Sequence, residues 1–185
     1  MLQKEDIDKL KKGDRSAQEK VYKYYAPKLK SVCLRYSNSI FDAEDIFQEA
    51  FVKIFSRIEQ YQYDLSFNAW VRKIVVNTAI DHYKKNLRFS NHKNIDDHVE
   101  FEGKPAEAFD DLSTEELLAA VQKLPEGYRI IFNMYEVEGY SHQEIAQMLD
   151  IAEGTSKSQL YKAKRYLQNL LKKNNKIIEH EPKRA

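Results

Sequence analysis

The 185 residues carry 30 Lys and Arg against 29 Asp and Glu, a net charge of +1, and a single cysteine. That length fits one domain or two small ones, and no apolar run approaches the ~20 residues of a membrane-spanning helix, so no membrane span is expected. Cys33 alone excludes an intrachain disulfide and fits a reducing cytoplasm, and five scattered histidines offer no metal-ligand cluster.

The opening stretch MLQKEDIDKLKKGD lacks the apolar centre of a secretory signal. QEKVYKYYAPKLKSVCLRY and DAEDIFQEAFVKIFSRI then repeat apolar residues at three- and four-residue spacing, which predicts helices. The second is predicted to bury Phe47, Phe51, Ile54, Phe55 and Ile58 and to present Asp42, Asp45, Gln48, Glu49 and Val52 on the opposite side. Those charges describe an ordinary solvated face, and the apolar Val52 among them is the one hint of a partner.

After the polar connection EQYQYDLS, the stretch SFNAWVRKIVVNTAIDHYKK is predicted helical with Val71, Ile74, Val75 and Thr78 inward. Trp70 falls about 100° from that centre, on the border of a face holding Lys73, Asn77, Asp81 and Lys84. There it is placed either to stack on an exposed base or to plug the rim of the core. Val76, Ile80 and Tyr83 occupy the far side and need cover from another helix.

Charge is segregated along the chain. Asn68 to Lys93 holds six Lys and Arg against one Asp, Asn94 to Glu116 nine Asp and Glu against one Lys, and Thr155 to Lys176 seven Lys and Arg with no acid. Such blocks set the local potential that attracts or repels a polyanion. Residues 89 to 112 lose the helical period and contain a Gly, a Pro and the acidic block, so a solvated, extended linker is expected.

A second helical unit follows. Ser113-Thr114-Glu115-Glu116 has the form of a capping box, Leu117, Val121 and Leu124 make one stripe, and Pro125 stops that helix. YRIIFNMYEVE runs to Gly139, placed as a left-handed helix end. Ser141-His142-Gln143-Glu144 is a second capping box, opening SHQEIAQMLDIAEGTSKSQLYKAKRYL. That stretch reads as two helices broken at Ala152-Glu153-Gly154. Ile145, Ala146 and Leu149 face inward on the first, and Leu160, Ala163, Leu167 and Leu170 on the second. Lys157, Ser158, Tyr161, Lys162 and Arg165 are left outside. Two short helices, a tight turn and a basic outer face fit a helix-turn-helix that enters the DNA major groove, although a solvated surface helix has the same pattern.

The motifs in order, GDRSAQEKVYKYYAPKL, DAEDIFQEAFVKIF, FNAWVRKIVVNTAIDHYKK, an acidic linker and LPEGYRIIFNMYEVEGYSHQEIAQMLDIAEGTSKSQLYKAKRYL, resemble a bacterial RNA polymerase sigma factor of the extracytoplasmic-function (ECF) group over about residues 5 to 172. The resemblance implies an all-α chain of two domains, here 1–90 and 113–175, joined by the acidic linker 91–112 and followed by a tail 176–185. It implies docking on core RNA polymerase through Asp45, Gln48 and Glu49, on the face that also carries Asp42 and Val52. Trp70 and Asn77 match positions that read and melt the −10 element, beside Lys73 and Lys84, and the loop from Tyr63 to Phe67 matches the segment that captures a flipped base. Arg129, Lys157, Ser158, Tyr161 and Lys162 match −35 contacts. Promoter DNA, core RNA polymerase and an anti-sigma factor are the implied partners.

Two departures from the family pattern stand out. Ser156 occupies a position where the family usually has a buried Val, which implies a less firmly packed or slightly rotated recognition helix. Lys157 and Lys162 stand where Arg is frequent, which favours phosphate contact over bidentate reading of guanine. The expected role is a non-enzymatic, cytoplasmic transcription initiation factor without a cofactor. The alternatives are a helix-turn-helix regulator acting without polymerase, and a nuclease using Asp42, Glu44 and Asp45. Against the nuclease, three acids within four residues of one helix do not converge on an ion.

Overall fold

The computed structural model describes residues 2–63, 66–89 and 119–179, and among these every regular element is helical. The chain divides into two compact units, Met1–His92 and Lys93–Ala185. Residues 90–112 of the predicted linker, the capping box at 113–116 and residues 180–185 lie outside the described residues.

In the first unit, α1 (Lys4–Lys11) opens with the Gln3 N–H donating to Asp6 Oδ2 at 2.9 Å. Gly13 then turns the chain at φ 76°, a conformation that penalises any residue with a Cβ. Asp14 caps α2 (Arg15–Tyr36) by accepting from the Ala17 N–H at 2.8 Å. Ser39 caps α3 (Ile40–Ser56), its Oγ accepting from the Asp42 N–H at 3.0 Å. A single 3-10 turn, Ile58–Gln60, leads towards α4 (Phe67–Phe89). Helices α2, α3 and α4 pack on one another around Val21, Leu29, Ile46, Ile54, Val71 and Val75. α4 buries both its expected arcs, Val71, Ile74, Val75 and Thr78 on one side and Val76, Ile80 and Tyr83 on the other. Burying one such aliphatic side chain contributes about 1.5–3 kcal/mol, which makes α4 the central helix of the unit. It also continues to Phe89, a residue the sequence places in the linker.

α3 turns the predicted face inward at Phe51 and Ile54, with Ile58 just beyond it, but centred closer to its alanines than expected. Ala43, Ile46, Ala50, Phe51 and Ile54 are buried, whereas Phe47 and Phe55 are only half-buried. The two alanines let neighbouring helices approach the α3 backbone closely. Phe47 and Phe55 border that face, in a row with the buried Phe51 and with Tyr22 of α2 whose centroids lie 4.8 to 6.0 Å apart.

The described part of the second unit starts with a helical turn at 119–122, ahead of Pro125. α5 (Glu126–Phe132) runs directly into a π turn, Asn133–Val137. There the Glu138 N–H reaches back five residues to the Asn133 carbonyl at 3.0 Å, and Asn133 Nδ2 donates to the Arg129 carbonyl at 2.9 Å. Gly139, at φ 77°, turns the chain out of the helix. α6 (His142–Leu149) begins at the predicted capping box, with the Glu144 N–H donating to Ser141 Oγ at 3.2 Å and the Ser141 N–H to Glu144 Oε2 at 2.8 Å. α7 (Glu153–Glu179) packs on both α5 and α6. Ile130, Ile131, Met134, Ile145, Leu160, Ala163 and Leu167 form the core.

The break between α6 and α7 falls earlier than expected. Asp150 is left-handed at φ 58°, and the Ile151 N–H closes onto the Ala146 carbonyl at 3.1 Å. Asp tolerates this region because its short polar side chain bonds locally. Glu153 and Gly154, expected in the break, already belong to the first turn of α7.

Candidate nucleic-acid interface

Three faces carry the expected binding residues. On α3, Asp45, Gln48, Glu49 and Val52 are exposed, Val52 at 66%. Asp42 is instead half-buried at the helix start, where its Oδ2 accepts from Ser39 Oγ at 2.8 Å. Glu49 is tied to Lys53 at 2.8 Å, and the same ammonium lies 3.4 Å from Asp81 of α4. Glu49 is therefore partly neutralised before any partner arrives. Beside Gln48, a cleft of about 430 Å³ is lined by Tyr22, Pro27 and Lys30 of α2 and by Glu44 and Phe47 of α3.

On α4, Trp70 is half-buried and held from below. Its ring lies nearly parallel to Phe67, with centroids 5.7 Å apart and 17° between the planes, and 5.5 Å from Tyr61. Lys73 is exposed, and Asn77 and Lys84 are half-buried on the same helix. Phe67 corrects the sequence reading. It is 8% exposed and packed against Tyr25, Tyr61 and Trp70, so it supports the exposed rings and is not open to a base. Tyr63 is exposed, and its hydroxyl donates to Asp8 of α1, which pushes the phenol up to about 12. Lys4 and Lys11 sit over its ring at 5.0 and 4.7 Å. Asp64 and Leu65, between Tyr63 and Phe67, lie outside the described residues.

On α7, Lys157 and Arg165 are exposed, and Ser158, Tyr161 and Lys162 are half-buried. The earlier start of the helix gives Lys157 a partner that the sequence reading omits. Glu153 accepts from it at 2.6 Å, and this bond holds the Glu153 carboxyl below its usual range. Both side chains are about half exposed, so the pair is weak and yields readily to a phosphate. Ser158 Oγ donates to the Thr155 carbonyl at 3.0 Å, and Arg165 stacks over Tyr161 at 5.8 Å.

Arg129 is the clearest correction. It is 4% exposed, and its Nη1 donates to the carbonyls of Gln122 and Leu124 at 3.3 Å each. A helix end leaves carbonyls without partners, and Pro125 has no N–H to offer them. Arg129 fills that role from inside the unit, and burial lowers its pKa. It is not presented to DNA.

Two family patterns match the chain, Sigma-70 region 2 over residues 21–89 and Sigma-70 region 4 over residues 114–167. They fall one on each unit and together take in most of the residues. Full-length relatives accompany them. The chain is 27% identical over 190 residues to the ECF RNA polymerase sigma factor SigW of Bacillus subtilis (strain 168), covering 93% of this chain and 98% of that one. It is 28% identical over 175 residues to the ECF RNA polymerase sigma-E factor of Escherichia coli (strain K12), covering 88% and 91%. The chain belongs to the ECF sigma factors.

Among solved structures, this sigma factor shares its fold with the sigma factor RpoE of Bartonella quintana, solved in complex with the anti-sigma factor NepR. The TM-score is 0.51 at 21% identity, over 83% of this chain and 96% of that one. Among the described residues of this sigma factor no group of acids, histidines or cysteines could hold a metal, and no helix is long and apolar enough to cross a membrane.

Sequence reasoning missed several side chains that organise these faces. Lys4, Asp8 and Lys11 come from α1, far from Tyr61 and Tyr63 in sequence, and nothing local marks the pairing. The Glu153–Lys157 pair was accessible, because Glu four residues before Lys is a known helix-face signal. Ile40 and Phe41 stand 64% and 79% exposed at the start of α3, an apolar pair that no periodicity argument places. His142 and Ser156 meet across the helix-turn-helix, with Nδ1 2.9 Å from Oγ.

Proposed function

We propose that this ECF sigma factor docks on core RNA polymerase through α3, reads and opens the −10 element with α4, and reads the −35 element with α7. The observation that carries this reading is the braced Trp70. A half-exposed indole stacked on Phe67 and tilted against Tyr61 is pre-organised to receive a base, on a helix that also offers Lys73, Asn77 and Lys84. Base–aromatic stacking contributes about 1–3 kcal/mol per base, comparable to the few kcal/mol that unpairing requires. Tyr63 adds a second exposed ring flanked by two cations.

On α3, Asp45 and Gln48 are the primary polar contacts, with Val52 covering a small apolar spot and Asp42 and Glu49 contributing less because of their internal bonds. On α7, Lys157 and Ser158 lie near the N-terminal end, the part of a recognition helix that meets base edges. Tyr161, Lys162 and Arg165 follow along the backbone and mainly position the unit. The protein carries out no reaction of its own and acts in the cytoplasm, where polymerase and promoter DNA are found. An anti-sigma factor, the class of partner found with the Bartonella relative, is the proposed inhibitor.

A gel-shift series tests the reading. Chain and core polymerase together are expected to retain a subset of genomic fragments that neither retains alone. Specific retention of a two-fold symmetric duplex by the chain alone would point to a free-standing regulator instead.

A further inference from the structure

Where the family usually carries Val, this chain carries Ser156, from which a less firmly packed or slightly rotated recognition helix is expected. Ser156 is fully buried, and a buried hydroxyl without a partner is destabilising. Its partner is His142, the first residue of α6, whose Nδ1 lies 2.9 Å from Ser156 Oγ. The imidazole is itself held through its face. Its ring stacks on Tyr135 with centroids 4.4 Å apart and 23° between the planes.

Tyr135 belongs to the π turn Asn133–Val137. A π turn rotates the side chains that follow it relative to an ordinary helix, and such turns recur at functional sites. Its neighbour Glu136 takes Lys164 of α7 at 2.7 Å. The π turn thus holds α7 twice, through His142 to Ser156 near its start and through Glu136 to Lys164 two turns later.

Successive residues of a helix point about 100° apart, so the direction of Ser156 sets the directions of Lys157 and Ser158. A Val at this position would fill space but would leave the rotation to packing alone. A hydrogen bond has a narrow range of productive geometry and defines the rotation more closely.

We propose that His142 is a positioning residue for −35 recognition: held on Tyr135 and bonded to Ser156, it fixes the rotation of α7 and thereby which side chains meet which bases. This rests on the proposed role of α7 in reading promoters. His142 specifies the bases through Ser156 and needs no contact with them itself.

The test uses the full chain assembled with core polymerase and a promoter library randomised at the −35 element, read by sequencing transcripts. His142→Phe keeps a ring on Tyr135 and removes the partner of Ser156. It should change relative base preference at one or more −35 positions by about threefold, the scale of coupling between neighbouring residues. Preference at the −10 element should stay as in the wild type. Ser156→Ala should give the same shift, and the double variant should add nothing further. His142→Asn, whose amide reaches the place of Nδ1, should restore the wild-type preference although it cannot stack.

Unchanged −35 preference in both His142→Phe and Ser156→Ala, with transcription retained, would overturn the inference and leave the sigma reading standing. If His142→Phe loses helicity, Ser156→Ala, which leaves no buried hydroxyl, decides alone. A wild-type holoenzyme that selects no −35 sequence overturns the underlying reading and this inference with it.

Discussion

Lys11 donates its ammonium to the Tyr61 carbonyl at 2.8 Å and so ties α1 to the connection that precedes α4. The same ammonium lies 4.7 Å from the centre of the Tyr63 ring, and Tyr61 in turn lies 5.5 Å from Trp70. One lysine from the first helix therefore steadies the aromatic group on which promoter melting is proposed to depend. Lys11→Met should lower the stability of the first unit by about 1 kcal/mol, the usual scale of a hydrogen bond with partial exposure. Trp70 is the only tryptophan, so the shift is readable as a change in its fluorescence midpoint in urea.

Trp70→Ala should leave closed-complex formation nearly unchanged and reduce the number of permanganate-reactive thymines. A pre-melted bubble template should rescue much of the loss, because the cost of unpairing is then already met. The ring is half-buried against Phe67 and Tyr61, so a stability loss of about 1–2 kcal/mol is expected as well. Trp70→Phe separates the two effects by keeping the packing and part of the stacking surface.

Replacing Asp45 and Gln48 together by Ala should weaken holoenzyme assembly by about tenfold or more in competition binding, a scale set by desolvated interfacial charges. Both are exposed and outside the core, so the thermal midpoint should not move. Glu49→Gln should cost less, because Lys53 already holds that carboxylate. Equal effects of Glu49→Gln and the Asp45 and Gln48 replacements would contradict the proposed ranking.

Much of this arrangement was legible in the sequence, and the misses have identifiable causes. The capping box at Ser141 and Glu144 and the left-handed Gly139 are local signals carried by a few adjacent residues, and they stand where expected. The two buried arcs of α4 also followed from periodicity. The inward face of α3 followed only in part, at Phe51, Ile54 and Ile58, because a wheel drawn by side-chain size puts Phe47 and Phe55 ahead of Ala43 and Ala50, while close helix approach favours the alanines. Arg129 was expected at the DNA only because its position matches the family's −35 contacts, and only the folded unit reveals the carbonyls that need its guanidinium. Glycine at 154 suggested a turn, but the left-handed residue is Asp150.

The second unit should respond to pH through His142. Burial lowers its pKa below the ordinary 6.5, aided by Lys157 and Lys164 of α7 and opposed by Glu153 and Glu136. The folded state thus binds fewer protons than the unfolded chain just below pH 6.5, and stability rises with pH there. The contribution is fully present above 6.5 and is lost as pH falls through the lower folded value. An imidazole NMR titration should give a midpoint below 6.5 in the folded protein. His142→Phe should remove the matching part of the pH dependence of amide exchange in α6 and α7. A midpoint above 6.5 would mean that the two glutamates outweigh burial and the lysines.

Run-off transcription on genomic fragments with purified core polymerase shows whether this chain turns that polymerase into a promoter-specific, promoter-opening enzyme. With the chain added, discrete transcripts should appear from a limited set of fragments that share two sequence elements upstream of their starts, and Trp70→Ala should weaken them on closed templates. The same transcripts with and without the chain would mean that it confers no promoter specificity on the polymerase.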